Sequence, residues 1–256
     1  MLTLSGLLYP DRLAAFVLVT TRLAVLLMMA PPLGGGAVPA MVRLAVVIAL
    51  SVCLCSGVAV GFSLQDLPHM VMAIVREAAI AFAMALGLNL AFAAFTVGAR
   101  VLDTQMGYGI GQIVNPLNAA QMPVLTGLFA QAAVILFVCA DGVEGVLRGF
   151  VMSLQAYPPG ADWNLDAALP VVLRQVTGMF TLGFALVAPV ATSLLLVEVA
   201  LGMLSRSLPQ VNMFAMGLPV KLLAGLAAVA GWITLSAEPV RRIHASLFSG
   251  WEALFR

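Results

Sequence analysis

From Thr104 to Ala140 the chain runs for 37 residues without one charged side chain, bounded by Asp103 and Asp141. A segment this apolar suits a membrane helix, because the bilayer interior rewards about 20 consecutive apolar residues. Yet the first half of the run, "QMGYGIGQIVNPLNAAQMPVL" (Gln105 to Leu125), holds alternating glycines, an Asn-Pro step and a second proline. Those are the residues least suited to a helix interior. Any fold for this chain must therefore explain breakable backbone at membrane depth.

That the surroundings are apolar follows from composition. The chain of 256 residues is 62% hydrophobic and 9% charged, with a mean hydropathy of +1.09. A soluble domain is about a quarter charged and roughly half apolar. No packing of this chain alone hides so much apolar surface, so its solvent is partly lipid or other apolar protein. Charge gaps mark six hydrophobic segments, at about 13–33, 44–64, 70–98, 122–140, 175–201 and 211–237, the fourth open to continuation toward Tyr157. "APPLGGGAVP", "SLQDLPH" and the polar "YPPGADWNLD" punctuate them. The expected fold is all-α: a polytopic, membrane-associated helical protein with broken helices, forming a single domain over 1–256. Lys and Arg divide almost evenly between the two sides of such a six-span topology, so the positive-inside rule gives it no orientation. The N-terminus "MLTLSGLLYPDRLAAF" lacks a positive region before its apolar residues, so no cleaved signal peptide is expected.

Several segments carry charges or prolines in their interiors. Arg76 and Glu77 lie in the third, Pro189 and Glu198 in the fifth, Pro219 and Lys221 in the sixth. Ionisable groups at such depths face protein or water rather than lipid. Prolines release backbone groups that neighbouring helices must satisfy. Arg76 and Glu77, being adjacent, point in different directions and need separate partners. Glu198 has no opposite charge one turn away, which leaves Arg206 or Lys221 as partners across helices, or water. These five residues are the ion-pair candidates.

Chemistry-bearing patterns are scarce. His69 and His244 stand in different segments and there is no H-E-x-x-H, G-x-S-x-G or phosphate-binding loop. "GYGIG" (Gly107 to Gly111) has no βαβ context and a misplaced third glycine, so it is not a dinucleotide site. Cys53, Cys55 and Cys139 lie in apolar stretches and read as small hydrophobes, not as a metal or disulfide set. With a net charge of +1 and no basic cluster beyond Arg241-Arg242, nucleic acid is not an expected partner. No enzyme activity, cofactor or metal is expected. Gly57/Gly61 and Gly145/Gly149 have the four-residue spacing that permits close helix approach, and the 14 methionines are adaptable core filling.

Three stretches resemble, in order, signatures of the flagellar biosynthetic protein FliR family: "PPLGGGAVPAMVRLAVVIAL", "QMGYGIGQIVNPLNAAQMPVLTGLFAQAAVILF" and "LGMLSRSLPQVNMFAMGLPVKLLAG". The likeness covers almost the whole chain. It implies a non-enzymatic, structural subunit of the flagellar type III protein export gate. Such subunits assemble with FliP and FliQ, next to FlhB, in the flagellar basal body of the bacterial inner membrane. The assembly conducts unfolded flagellar proteins, and many of its apolar helices pack on neighbouring subunits rather than lipid. The wording of "PQVNMFAMGLP" is more flagellar than that of the related virulence type III secretion subunits, which remain the alternative, with a small-solute transporter the more distant one.

The resemblance also implies that the loop at about 107–121 plugs the closed channel. Irregular backbone is tolerated at membrane depth where it is buried in protein or lines an aqueous cavity. Its expected members are Met106, Gly107, Tyr108, Gly109, Ile110, Gly111, Ile113, Val114, Asn115 and Pro116. The glycines would permit tight turns, and Tyr108, Ile110, Ile113 and Val114 would exclude water. Pro116 disfavours helix at Asn115, and Pro123 suits the first turn of the next helix. A re-entrant packing loop with no gating role fits the same residues.

Overall fold

Apolar segments in lipid must satisfy every backbone N–H and C=O internally, and in a chain without strand signals that means helix. The computed structural model describes residues 10–31, 38–55, 67–108, 122–207, 213–234 and 236–255, and among them every regular element is helical. The helices are α1 (Pro10–Met29), α2 (Ala40–Cys55), α3 (Leu67–Met106), α4 (Val124–Cys139), α5 (Gly142–Ala156), α6 (Leu165–Ser207), α7 (Met213–Ile233) and α8 (Ala237–Leu254). Four of them (α1, α3, α6 and α7) are long and apolar enough to cross a membrane, and α4 with α5 adds a fifth if that broken pair counts as one span. The protein is an all-α polytopic membrane protein with broken helices.

Helix lengths depart from the six segments in informative ways. The third segment lies inside the 40 residues of α3, and the fifth inside the 43 residues of α6. At 1.5 Å per residue these are ~60 and ~65 Å long, twice the ~30 Å of a hydrocarbon core. Each is longer than one hydrocarbon core can cover along its axis. Conversely α2, with 16 residues, reaches only ~24 Å; the remainder of the segment at 44–64 lies outside the described residues. The fourth segment does not run on as one helix toward Tyr157. It stops after Cys139, and Asp141 takes left-handed backbone (φ 54°) before α5 starts at Gly142. Pro219 sits inside α7.

The chain divides into two compact units. The first comprises Met1–Leu90, Asp141–Val176 and Leu247–Arg256. Its apolar contacts include Ala14 and Leu18 of α1 against Met70 and Ala73 of α3, flanked by Val17 and Ile74. The end of α8 supplies its largest buried side chain, Trp251. The indole lies where a side chain on Gly149 would be, and its Nε1 donates to the Met84 carbonyl at 3.2 Å. Phe248 occupies the space over Gly145 and meets Trp251 edge-on, centroids 5.7 Å apart. The Gly145/Gly149 spacing thus receives aromatic rings rather than another helix backbone. Gly57/Gly61 lies outside the described residues.

The second unit comprises Ala91–Ala140 and Thr177–Ser246. Here α3 and α6 touch backbone to backbone. A Cβ on Gly98 would stand 2.7 Å from the Gly183 carbonyl oxygen, and one on Gly183 the same distance from that of Ala94. Phe129 of α4 stacks on Trp232 of α7 at 5.7 Å, and Phe137 meets Phe92 at 5.4 Å and His244 at 5.9 Å. At the exposed start of α8, hydrogen bonds from Arg242, joined by Arg241, hold the Glu238 carboxyl below the usual carboxylate range.

Candidate functional site

The chain leaves α3 and enters α4 at one buried side chain, that of Asp103. Helix α3 closes with two tightened bonds: the Gly107 N–H donates to the Thr104 carbonyl (3.3 Å) and the Tyr108 N–H to the Asp103 carbonyl (2.9 Å). This is the paired C-terminal closure that requires a left-handed residue, normally glycine, just past the helix. Gly107 supplies it with φ 85°. The helix stops because a glycine stands where the backbone must reverse its hand.

The next described helix, α4, starts at Val124 with a defect. Its N-cap is Pro123, whose side chain accepts no hydrogen bond, so the N–H groups of the first turn need another acceptor. Asp103 provides it from across the loop. Its Oδ1 accepts from the Leu125 N–H at 3.0 Å, and its Oδ2 accepts from the Thr126 N–H at 2.8 Å and the Thr126 hydroxyl at 2.6 Å. Asp103 and Thr126 are each 1% exposed. The negative charge also faces the positive end of the α4 dipole, the favourable polarity. Beside this clasp, fully buried Met106 fills the space over Gly225 of α7, where a Cβ would lie 2.5 Å from its Cε.

Of the residues expected in the plug, Met106, Gly107 and Tyr108 belong to this stem. Gly109, Ile110, Gly111, Ile113, Val114, Asn115 and Pro116 lie outside the described residues. Pro123 stands one position before the first turn of α4, as its N-cap.

The charged candidates occupy two other places. In the first unit Glu77, 1% exposed, pairs with fully buried Arg22 of α1 at 2.5 Å. The Arg22 guanidinium also donates to the Ser153 carbonyl (2.9 Å), the Ser153 hydroxyl (3.2 Å) and the Tyr157 carbonyl (3.0 Å). The second oxygen of Glu77 accepts from the Gly160 N–H at 2.9 Å. Arg76 pairs with exposed Asp162. Adjacent residues of one helix therefore both hold the polar loop after α5. Gly160 sits there with φ 85°, a conformation suited to glycine. In the second unit Lys221 of α7 donates to Glu198 of α6 at 2.7 Å, with Glu198 57% and Lys221 24% exposed. Arg206 lies exposed in the last turn of α6.

Asp103, Thr126, Arg22 and Trp251 escaped the sequence reading. Asp103 served there only as the edge of the uncharged run. The available signal was a lone carboxylate at the edge of the uncharged run, followed in sequence by a helix start that has proline where a capping side chain belongs.

Comparison with known proteins gives a consistent neighbourhood. The model of bacterial export proteins, family 1, matches residues 13–246. The chain is 28% identical over 218 residues to the flagellar biosynthetic protein FliR of Bacillus subtilis, covering 83% of each chain. It is 26% identical over 232 residues to the FliR of Escherichia coli, covering 89% of this chain and 87% of that one. It is also 25% identical over 205 residues to the surface presentation of antigens protein SpaR of Shigella flexneri, covering 80% and 79%.

Proposed function

The chain belongs to the bacterial export proteins, family 1, and from that premise we propose that it is a non-catalytic subunit of the flagellar type III protein export gate. In this reading it assembles with FliP and FliQ, next to FlhB, in the basal body at the bacterial inner membrane. The assembly conducts unfolded flagellar proteins. The uncharged stretch from Gly107 to Gln121 occludes the closed conduit. Gly109, Ile110, Gly111, Ile113, Val114, Asn115 and Pro116 form the seal, on a stem of Met106, Gly107 and Tyr108, and Arg76, Glu77, Glu198, Arg206 and Lys221 serve as structural ion-pair residues rather than in chemistry. Likeness along most of the chain to proteins named for flagellar biosynthesis supports the flagellar setting.

The observation that carries the occlusion reading is the clasped stem. A stretch with no charge, rich in glycine and proline, leaves and re-enters the helical scaffold at one buried carboxylate. A plug needs such a base, fixed at both ends. Absence of charge suits a seal that must be dry when closed and indifferent to the sequence of a passing chain. Likeness to SpaR supports the second reading, an equivalent subunit of a virulence secretion system.

The test is a shortened loop within residues 109–121, in cells that carry the whole complex. Ions or small solutes should leak across the membrane while the complex still assembles. Fully assembled variants that stay tight and secrete normally would remove the occlusion reading and leave a packing loop.

A further inference from the structure

We infer that the polar face of α8 forms part of the water-filled wall of the conduit, the surface that a passing unfolded chain meets. The inference rests on the export-gate reading given above, and assigns one helix of this chain to the inside of that conduit.

Two observations carry it. The first is what α8 shows to its surroundings. Ile243, Leu247, Trp251 and Leu254 recur every three or four residues and are buried, so one side of the helix rests on the protein. On the other side, from Ala237 to Ala253, every exposed residue is Glu, Arg, Ser or Ala. The helices fit to cross a membrane, α1, α3, α6 and α7, all expose large apolar side chains instead, and so does α4.

The second observation is depth. Within the second unit Trp232, near the end of α7, stacks on Phe129 of α4, and His244 of α8 stacks on Phe137. Glu238, Arg241 and Arg242 lie between those two fixed points in sequence, and so beside the ~12 Å of α4 from Phe129 to Phe137. That stretch of α4 is uncharged and exposes Ile135 and Leu136. The arginine side chains beside it are 79% and 67% exposed and that of Glu238 is 47% exposed, although the three bond one another. Lipid and apolar helices leave such charges unsolvated, so water must reach them. In a gate that conducts unfolded protein, water at that depth is the conduit.

The chemistry of the face suits that place. Arg241 and Arg242 balance Glu238 and Glu252, so a segment of either charge meets no net field that would hold it. An apolar segment meets no apolar patch to adhere to. The surface therefore fits an extended polypeptide of any sequence, met through water.

The test uses the assembled complex in membrane vesicles. Ala245→Cys and Ser249→Cys probe α8, and Leu196→Cys and Leu223→Cys probe the apolar surface, each in a chain whose three native cysteines are replaced by alanine. The probe is a charged, membrane-impermeant thiol reagent offered from either side. The two α8 positions should react at least about tenfold faster than the two controls, since a thiol in apolar surroundings is inert. An export substrate fused to a domain too stable to unfold then stalls in the complex, and both α8 positions should lose most of their labelling. Labelling as slow as in the controls would overturn the inference, because a partner rather than water would cover α8. Fast labelling that a bound, stalled chain leaves unchanged would also overturn it, by placing the face in water outside the conduit. A parent complex that never retains the stalled chain would remove the export-gate reading itself. If one α8 variant fails to assemble, the other decides.

Discussion

Arg22 and Glu77 are the chain's most consequential charged pair, because neither has water to fall back on. Arg22 spends its Nε and both terminal nitrogens on four acceptors drawn from α3, α5 and the loop that follows. Removing one partner of a buried pair strands the other charge, a loss of about 3–5 kcal/mol. Glu77→Ala should therefore unfold the first unit, or lower the thermal midpoint of the complex steeply, whereas Glu77→Gln keeps the side-chain volume and one acceptor oxygen, with its NH2 turned toward the second donor, and should cost less than alanine while still destabilising. Lysine cannot replace Arg22, since a single ammonium lacks the forked donors that reach Glu77, Ser153 and Tyr157 together. Sequence alone marked Glu77 as a charge needing a partner. It did not identify Arg22, which lies 55 positions away near the middle of α1, because nothing in local spacing distinguishes a core arginine from one that ends a helix in water.

Helices pack here by two different uses of glycine, and they predict different responses. At the α3–α6 crossing, Gly98 and Gly183 lie against backbone carbonyls, which cannot rotate out of the way. Gly98→Ala and Gly183→Ala should each part the two helices and reduce the yield of folded protein. Gly178 on the same helix α6 has open space around it within the chain. Gly178→Ala should leave the chain's own packing intact or raise its stability by up to about 1 kcal/mol through helix propensity. Comparing the three in the assembled complex by thermal unfolding in detergent checks the distinction; equal losses at all three would refute it. At this scale much was legible in advance. Hydropathy located the apolar parts of α1, α3, α4, α6 and α7, because a long run without charge leaves little choice but helix. It missed α8, whose "EPVRRIHASLFSGWEAL" has too many polar residues to read as a span, and it left open the break at Asp141, which depends on one residue's left-handed backbone. The ends of α3 and α6 were also hidden, since charge gaps mark where lipid could begin, not where a helix stops. The stem of the loop was half visible: glycine and proline announced the break, but the carboxylate that joins its two sides declares itself only in three dimensions.

For the molecule as a whole, the unsolved surface is the long apolar one. Only 22% of the most apolar stretch of α6 and 17% of that of α7 is buried within the chain, against 61% for α3. Leu195, Leu196, Val199 and Met203 of α6 and Leu223 of α7 are more than half exposed. Lipid can cover about 30 Å of such a helix, and α6 is about twice that long. The remaining apolar length faces water unless protein covers it, and patches of that size mark interaction surfaces. Glu198 and Lys221 fit the same setting, as a pair that joins α6 to α7 while keeping a partly exposed charge on that surface. Expressed alone, the protein should thus aggregate or be degraded. Co-expression with the FliP and FliQ homologues of the same organism should recover it in a discrete assembly, with hydrogen exchange suppressed along α6 and α7 more than along α3. Native mass measurement after gentle extraction reads the assembly, and exchange reads the surface. A monodisperse chain recovered in good yield without partners, with α6 protected by detergent alone, would show that lipid suffices and that the excess length has some other use.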